Sequence, residues 1–300
     1  MDEAPVERIA IVRNPRSGTA PDTATLEQAI RTARLDARVH DAPAGDAFAP
    51  WIDRLAAGVD LIVAAGGDGT VSAVATAAAK ASRTLGIIPT GTLNHFARDT
   101  GIPTEIDEAL DAIRTGRDQS VDVGTVNGHL FLNNVSLGNY PRMVRHRTKL
   151  ETRGLSRRLS GTVAAFETWW DLRSVTAALT LDGEHITRRS PFIVIANGSY
   201  VLSGFSLGQR EQINDSRLSV YVAPRSGRFG ALMLPLRALV GNLEQYEQFE
   251  IMSAKAVKAS LRYSRIAVGI DGEVRELQTP LEFAIQRQAL RVRVPRPAEP

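Results

Sequence analysis

The stretch Asp60-Leu-Ile-Val-Ala-Ala-Gly-Gly-Asp-Gly-Thr-Val-Ser72 combines an apolar run with three glycines placed around one acid. The run 61–65 predicts a buried strand, and the alanine-rich residues from Thr70 to about Lys80 predict a helix. Glycine lets the backbone turn sharply and approach a ligand closely. Because the first N–H groups of a helix favour an anion, this strand, loop and helix form a candidate phosphate site.

Asp68 is the acid inside this glycine loop. A bare carboxylate would repel phosphate, and a divalent cation between the two groups removes that conflict. Magnesium usually binds through one or two carboxylates together with phosphate oxygens, so the stretch favours a Mg-nucleotide. The alternative is a tight turn in which Asp68 caps the helix. The chain has neither the G-x-x-x-x-G-K-[S/T] pattern of a phosphate loop nor the G-x-G-x-x-G pattern of a dinucleotide fold.

Composition limits the class of protein. A chain of 300 residues holds one large or two ordinary domains, and 43% hydrophobic with 23% charged residues is typical of a globular protein. No 18-residue apolar run predicts a membrane span, and the acidic N-terminus lacks the apolar core of a signal peptide. The absence of cysteine excludes disulfides and fits a cytoplasmic protein. We expect no nucleic-acid partner, since no basic stretch is interleaved with aromatics.

The first part of the chain predicts an α/β domain at 1–127. Strands are expected at 8–13, 37–41, 61–65, 84–89 and 120–126, and helices at 23–35, 46–57, 70–80, 95–99 and 106–115. Alternation of this kind indicates a parallel sheet with helices on its faces. Ligands bind at the carboxyl ends of such strands, so we expect Asn14, Gly67 to Thr70, and Gly91-Thr92 to converge.

Strands dominate from about residue 128, which predicts a second, mainly antiparallel domain at 128–280. They are expected at 130–135, 175–181, 192–196, 218–222, 246–252, 257–263, 266–270, 281–285 and 290–294. The pairs Asn127-Gly128, Asp182-Gly183 and Asp271-Gly272 predict hairpin turns. Helical inserts are expected at 141–172 and 229–240. The last strands, near 281–300, are expected to pack back on the first domain.

The segment 141–172 is basic in its first half and aromatic in its second half. One interpretation is a surface that lies on an anionic membrane. The other is an ordinary solvated basic face beside a packed aromatic stripe, which is the more common meaning of a charge run.

Several motifs together identify a family. They are Asn14-Pro-x-Ser-Gly18, Gly66-Gly-Asp-Gly-Thr-Val71, Pro89-x-Gly-Thr-x-Asn-x-Phe-Ala97, Asn214-Asp-x-x-Leu218 and Asp271-Gly-Glu273. In this order, and over nearly the whole chain, they resemble the bacterial soluble diacylglycerol kinases and related lipid kinases, a family that includes the sphingosine kinases. The Gly-Gly-Asp-Gly element alone is shared with NAD kinases and phosphofructokinases.

The resemblance implies an α/β nucleotide domain like that of NAD kinase, a β-sandwich, and an active site in the cleft between them. It implies ATP contacts from Gly67 to Ala73 and at Thr92. The full set of candidate nucleotide contacts is Asn14, Asp41, Gly66, Gly67, Asp68, Gly69, Thr70, Val71, Gly91 and Thr92. Relatives often have threonine at the Asp41 position.

The resemblance also assigns catalytic and metal roles. Glu273 matches the proton acceptor, and Asp68 organises Mg²⁺ on the nucleotide. A structural magnesium site matches the Asp215 carboxylate with main-chain carbonyls at Gln212 and Arg217. From the residues alone these roles stay open, because Leu181-Asp-Gly-Glu184 repeats the Asp-Gly-Glu pattern and an Asn-Asp pair is common in surface turns.

His95 departs from the family pattern, since relatives commonly have an acid there that shares a network with the residues matching Asp68 and Asp122. A histidine at this point is either a locally hydrogen-bonded residue or an acid–base group. We expect an ATP- and Mg²⁺-dependent lipid kinase, most simply one that converts diacylglycerol to phosphatidic acid at a membrane surface.

The alternatives are a kinase of a sphingoid, phosphatidylglycerol or NAD-like acceptor, and a non-catalytic nucleotide or lipid binder. A homodimer and peripheral attachment at the inner face of the membrane stay open.

Overall fold

A computed structural model describes residues 7–15, 21–139, 141, 174–203, 206–210, 212–223 and 249–297 of the chain. Its first part alternates strands and helices. These are β1 (Ile9–Arg13), α1 (Thr23–Thr32), β2 (Ala37–Asp41), α2 (Phe48–Ala57), β3 (Leu61–Gly66), α3 (Asp68–Ala81), β4 (Thr84–Pro89), α4 (His95–Asp99) and α5 (Ile106–Thr115).

The rest of the described chain consists mainly of strands. These are β5 (Arg117–Val126), β6 (His129–Phe131), β7 (Asn134–Gly138), β8 (Val175–Leu181), β9 (Glu184–Ser190), β10 (Phe192–Asn197), β11 (Tyr200–Ser203), β12 (Ser206–Arg210), β13 (Leu218–Val222), β14 (Glu250–Ala254), β15 (Ala256–Leu261), β16 (Arg265–Ile270), β17 (Glu273–Gln278) and β18 (Leu281–Val294). The predicted inserts at 141–172 and 229–240 lie outside the described residues, apart from Pro141.

The chain divides into two compact units. Unit 1 comprises Met1–Val123 and Arg287–Pro300. Its sheet has the order β2-β1-β3-β4, all parallel, and the last part of β18 continues it in parallel with β4. β3 and β4 are buried along their whole length, as expected for strands whose two faces are covered by helices.

Unit 2 comprises Gly124–Gln286 and is antiparallel. One sheet has the order β14-β13-β10-β7-β16-β17, and another joins the first part of β18 to β15, β8 and β9. Apolar side chains of both sheets, such as Ile195 and Phe283, form one shared core. The predicted fold class, an α/β domain followed by a mainly antiparallel β-sandwich, is therefore confirmed. The domain limits predicted at 127 and 280 stay predictions.

The three predicted hairpin turns are present. Asn127, Asp182 and Asp271 have φ of 46°, 48° and 45°, and the glycine after each has φ of 80° to 97°. Both central residues of a type I′ turn need positive φ, which Asn-Gly and Asp-Gly pairs tolerate best. The strands that follow two of these turns, β9 and β17, were missed because their alternation is largely polar.

The predicted strand 130–135 is wrong as one element, because it breaks between β6 and β7. The backbone N–H groups of Leu132, Asn133 and Asn134 donate to the Asp271 carboxylate, at 2.8, 2.8 and 3.1 Å. An acid distant in sequence thus takes hydrogen bonds that would otherwise continue the strand.

The predicted strands 281–285 and 290–294 are instead one strand, β18. The residues between the two predicted strands are mainly polar, and Gln288 has a positive φ of 48°. The Gln288 N–H donates to Asp122 Oδ1 at 2.8 Å. Because Asp122 is buried, this hydrogen bond supports the irregular position within the strand.

Among the described residues, no helix combines the length and the apolar character that crossing a membrane requires.

Candidate active site

The glycine loop after β3 begins α3 two residues earlier than predicted. Gly67 is the N-cap and Asp68 the first helical residue. The N–H groups from Gly67 to Thr70 therefore belong to the helix start, where no preceding helical carbonyl can accept them. The Val71 N–H already donates to the Gly67 carbonyl at 3.0 Å, and the Val71 side chain is buried. The amides that suit phosphate are thus those before Val71.

The Asp68 side chain does not cap α3. The alternative interpretation, in which Asp68 caps its own helix, is therefore wrong. Its two carboxylate oxygens accept the backbone N–H groups of Asn94, at 3.1 Å, and His95, at 2.8 Å, at the start of α4. Asn94 is left-handed, with φ of 51°. A carboxylate oxygen has more than one lone pair, so each oxygen can still face a cation or water. The structure therefore fixes the Asp68 carboxylate between two glycine loops.

The loops after β3 and β4 touch through their glycines. A Cβ built on Gly91 would lie 2.5 Å from Gly67 Cα and 2.7 Å from Asn94 Oδ1. The Gly91 N–H donates to Asn94 Oδ1 at 3.0 Å, and Asn94 Nδ2 donates back to the Gly91 carbonyl at 2.9 Å. The sequence motif around Asn94 does not predict a role for its side chain. The structure shows that it holds the second loop in place.

Asn14 joins the same edge of the sheet. Its Nδ2 donates to Thr70 Oγ1 at 3.2 Å, and its backbone N–H lies 3.4 Å from the Ala65 carbonyl. Gly66 has no room for a side chain, since a Cβ there would fall 2.6 Å from the Thr70 side chain. Thr92 is exposed on the loop between β4 and α4. The structure thus brings together Asn14, the Gly66 to Thr70 loop and the Gly91-Thr92 loop.

Asp41 lies at the carboxyl end of β2, at the same edge of the sheet. Arg13 of β1 donates two hydrogen bonds to the Asp41 carboxylate, from Nε to Oδ1 at 2.7 Å and from Nη2 to Oδ2 at 2.8 Å. The hydrogen bond from Arg13 lowers the pKa of Asp41, which keeps the carboxylate ionised. Sequence patterns gave no signal for this partner, because only the register of β1 on β2 places Arg13 opposite Asp41.

The family pattern predicts that Asp68 shares a hydrogen-bond network with the residues at positions 95 and 122. His95 contacts Asp68 through its backbone N–H, whereas Asp122 accepts the N–H of Gln288. Among the described residues, no group of three or more His, Asp or Glu side chains is placed to hold a metal ion. Among the described residues of unit 1, Asp68 together with nucleotide and water oxygens would form a donor set that Mg²⁺ accepts.

In unit 2, Glu273 is the first residue of β17, directly after the turn Asp271-Gly272. Its carboxylate is half exposed and lies 3.6 Å from the Arg275 guanidinium. Asp271 is buried, and through the three N–H groups of 132–134 it ties the hairpin to the start of β7. The turn that carries Glu273 is thus fixed to the sheet.

The expected metal donors Gln212, Asp215 and Arg217 lie near one glycine. The Gly198 N–H donates to the Arg217 carbonyl at 2.9 Å, and a Cβ on Gly198 would lie 3.3 Å from the Gln212 carbonyl oxygen. Asp215 accepts the N–H groups of Arg217, at 3.0 Å, and Ser199, at 3.2 Å. One carboxylate and two carbonyls are hard oxygen ligands, so the residues present fit Mg²⁺.

Asp215 and Glu273 lie at the same end of the six-stranded sheet but not side by side. Asp215 precedes β13, and Glu273 begins β17, four positions away in the strand order. At about 4.8 Å per strand, the starts of β13 and β17 are on the order of 19 Å apart.

Two family models match this chain. Residues 8–126 match the diacylglycerol kinase catalytic domain, and residues 134–294 match the YegS C-terminal NAD kinase beta sandwich-like domain. A Bacillus subtilis (strain 168) protein named diacylglycerol kinase is 28% identical over 277 residues, 89% of this chain and 90% of the relative.

Two further likenesses agree with these matches. A Staphylococcus aureus (strain MRSA252) protein named diacylglycerol kinase is 25% identical over 276 residues, 89% of this chain and 86% of the relative. The crystal structure of a diacylglycerol kinase from Bacillus anthracis str. Sterne covers 99% of each chain with a TM-score of 0.70 at 22% identity. At 22% identity, this structural similarity shows that the two proteins share a fold.

Proposed function

The chain belongs to the diacylglycerol kinase family of lipid kinases, and from this premise we propose that it phosphorylates the hydroxyl of diacylglycerol, using Mg-ATP, to give phosphatidic acid. The catalytic domain implies ATP use. The observation that carries the proposal is the contact of the Gly67 and Gly91 loops around the fixed Asp68 carboxylate. This arrangement offers backbone N–H groups and one acid to a metal-bound triphosphate.

Phosphoryl transfer needs positioned phosphates, neutralised charge and a group that receives the hydroxyl proton. We assign the phosphates to the amides from Gly67 to Thr70, with Asn14 and Thr92 at their sides. Magnesium would neutralise charge on the nucleotide, with Asp68 as its protein contact. A second, structural magnesium ion would be held by Asp215 and the carbonyls of Gln212 and Arg217.

Glu273 is our candidate for the group that accepts the proton of the lipid hydroxyl. A general base must lie within hydrogen-bond reach of the proton that it removes. The three hydrogen bonds to Asp271 support this role, because they fix the turn two residues before Glu273. The lipid substrate would be met at a membrane surface.

The experiment is a phosphorylation assay with labelled ATP, Mg²⁺ and mixed micelles that each present one lipid, with NAD as a soluble acceptor. The panel contains diacylglycerol, a sphingoid base and phosphatidylglycerol. The control for Glu273→Gln is Glu184→Gln, because Glu184 follows the matching Asp182-Gly183 turn in the same unit. We expect labelled phosphatidic acid from the wild type and from Glu184→Gln, and at least a hundredfold less from Glu273→Gln.

Each other result contradicts a stated part of the proposal. Labelling of another lipid alone, or of NAD alone, would show that this compound and not diacylglycerol is the acceptor. ATP binding without transfer to any acceptor would indicate a non-catalytic binder. Equal loss in the two glutamate variants would remove the special role of Glu273.

A further inference from the structure

The Asn133 side chain is buried in unit 2 without the hydrogen bond that a buried amide normally makes. The residue is 5% exposed, and its Oδ1 atom has no hydrogen-bond partner among the described residues. Asn197 of β10 is also buried, but its Nδ2 donates to the Leu132 carbonyl at 3.0 Å. A buried polar group without a partner lowers the stability of a fold, so its presence at position 133 calls for an explanation.

The backbone of Asn133 is fixed beside the turn that carries Glu273. Its N–H donates to Asp271 Oδ1 at 2.8 Å, and its carbonyl accepts the Asn197 N–H at 2.9 Å. Asp271 lies two residues before Glu273. Since one hydrogen bond, one aspartate side chain and two residues of chain join Asn133 to Glu273, their Cα atoms are at most about 15 Å apart.

Glu273 lies on the core side of the six-stranded sheet, at the end where Asn133 is buried. It is paired with Ile270, which is itself paired with Val135, and both of these residues belong to the core. Residues that pair directly across strands share a face of the sheet. Asn133 comes two residues before Val135, at the start of β7. A small polar group bound at this end of the sheet can therefore contact both side chains.

The chemistry of the amide selects the kind of group that it would bind. A carboxamide offers two donors and one acceptor, and its two ends exchange by rotation when no hydrogen bond fixes them. A neutral amide in a buried position suits a neutral ligand, because burial of a charge is costly. In diacylglycerol, the neutral group next to the reacting hydroxyl is an ester, whose carbonyl oxygen accepts hydrogen bonds.

We propose that the Asn133 amide donates a hydrogen bond to an ester carbonyl of diacylglycerol, next to the hydroxyl assigned to Glu273. This inference rests on the proposed function. Asn133 is a specificity-determining residue that distinguishes acylated glycerol from other alcohols, and it takes no part in proton transfer. A hydrogen bond between neutral groups is worth about 3- to 10-fold in affinity, which gives the expected discrimination.

The test compares two acceptors in mixed micelles with labelled ATP and Mg²⁺. One is a 1,2-diacylglycerol, and the other is the 1,2-dialkylglycerol ether of the same chain length, which keeps the hydroxyl but lacks both ester carbonyls. The wild type should phosphorylate the ester with a kcat/KM about 3- to 10-fold higher than that of the ether. Asn133→Leu keeps the size of the side chain and removes the amide, so its kcat/KM values for the two lipids should be equal.

Asn197→Leu is the matched control, because it removes a buried amide that has a hydrogen-bond partner. This variant should melt at a lower temperature than the wild type and still prefer the ester. Asn133→Leu should melt no lower than the wild type, since it removes an unpartnered polar group. A lower melting temperature of Asn133→Leu with the ester preference retained would overturn the inference and assign the amide to the fold, through a buried water molecule.

Two further results would overturn the inference and leave the proposed function standing. One is an equal kcat/KM for the ester and the ether in the wild type, and the other is an ester preference that persists in Asn133→Leu. In both cases diacylglycerol is still phosphorylated. Failure of the wild type to phosphorylate either lipid would contradict the proposed function itself, and the ester contact with it.

Discussion

Gly91 lies directly against Gly67, so that a Cβ at position 91 would come within 2.5 Å of Gly67 Cα. Two loops from neighbouring strands can approach this closely only if neither carries a side chain at the contact. The neighbour here is backbone and cannot rotate away. The distance between the two loops is therefore set by glycine, and with it the position of Asp68 between them.

Gly91→Ala is expected to push the loops apart. We expect a loss of about 1–3 kcal/mol in the free energy of unfolding, the usual cost of overpacking, together with at least tenfold weaker ATP binding. Gly58→Ala is the control, because a Cβ there would make ordinary contacts of 3.6 and 3.9 Å with helix carbonyls. Urea unfolding and calorimetry measure the two effects. Unchanged ATP affinity in Gly91→Ala would show that the loop contact does not shape the site.

Asp271→Ala should destabilise unit 2 far more than Asp182→Ala. Both acids sit in Asp-Gly turns and accept backbone N–H groups, from 132–134 and from Lys255 and Ala256 respectively. Asp271 is buried, so its loss leaves buried donors without a partner and costs about 3 kcal/mol or more. Asp182 is exposed, so water can accept the hydrogen bonds that its carboxylate accepts now, and its loss should cost less. Comparable unfolding free energies for the two variants would contradict the role of the Asp271 contacts.

Arg293→Met tests how the last strand is held in unit 1. Arg293 donates to Asp118 at 2.5 Å, to Glu7 at 2.8 Å and to the Ile113 carbonyl at 2.9 Å, and its side chain is 12% exposed. Removing these bonds should cost about 1–3 kcal/mol in unfolding free energy. The control on the same strand is Arg291→Met, whose bond to the Ser82 carbonyl is exposed. The prediction fails if both variants unfold at the same urea concentration.

The Arg8–Asp60 pair should make the free energy of unfolding depend on pH in the acidic range. The hydrogen bond from the Arg8 side chain lowers the pKa of Asp60 from 3.8 to about 2. Because the folded pKa is the lower one, this stabilisation is complete above about pH 4 and is lost as the pH falls from 3.8 towards 2. Urea unfolding between pH 5 and pH 2 should show a shallower acid dependence in Asp60→Asn. An identical acid dependence in both proteins would contradict the assignment.

Magnesium should stabilise the protein without nucleotide if the Asp215 site holds it. A ligand that binds only the folded state raises the melting temperature with its concentration. We expect such a rise in the wild type and none in Asp215→Ala. Gly198→Ala should weaken it, since Gly198 has φ of 85° and lies against the Gln212 carbonyl. If Mg²⁺ still raises the melting temperature of Asp215→Ala, the metal binds at another site.

Local sequence patterns predicted several elements at their observed limits. β4, α4 and α5 begin and end where expected, and so do β8 and β13. Their signals are local: continuous apolar runs for buried strands, and apolar spacing for α5. The three hairpin turns were equally clear, because only a few residue pairs adopt positive φ at both central positions.

Sequence reasoning failed where a distant side chain replaced a local partner. The strand 130–135 breaks because Asp271 takes its N–H groups, and β18 continues through Gln288 because Asp122 takes one. Asp68 caps α4 rather than α3 for the same reason. Each case joins residues far apart in the chain, so no window of sequence contains both partners.

The amino-acid sequence by itself determined the order of strands and helices, the turns and the glycine loops, because those depend on spacing and on the conformations each residue allows. Only the tertiary structure decided which residues meet: Gly67 with Gly91, Arg13 with Asp41, and Asp271 with 132–134. The reason is that such pairs depend on strand order and register. These are fixed by burial of the whole core and not by the residues of any one segment.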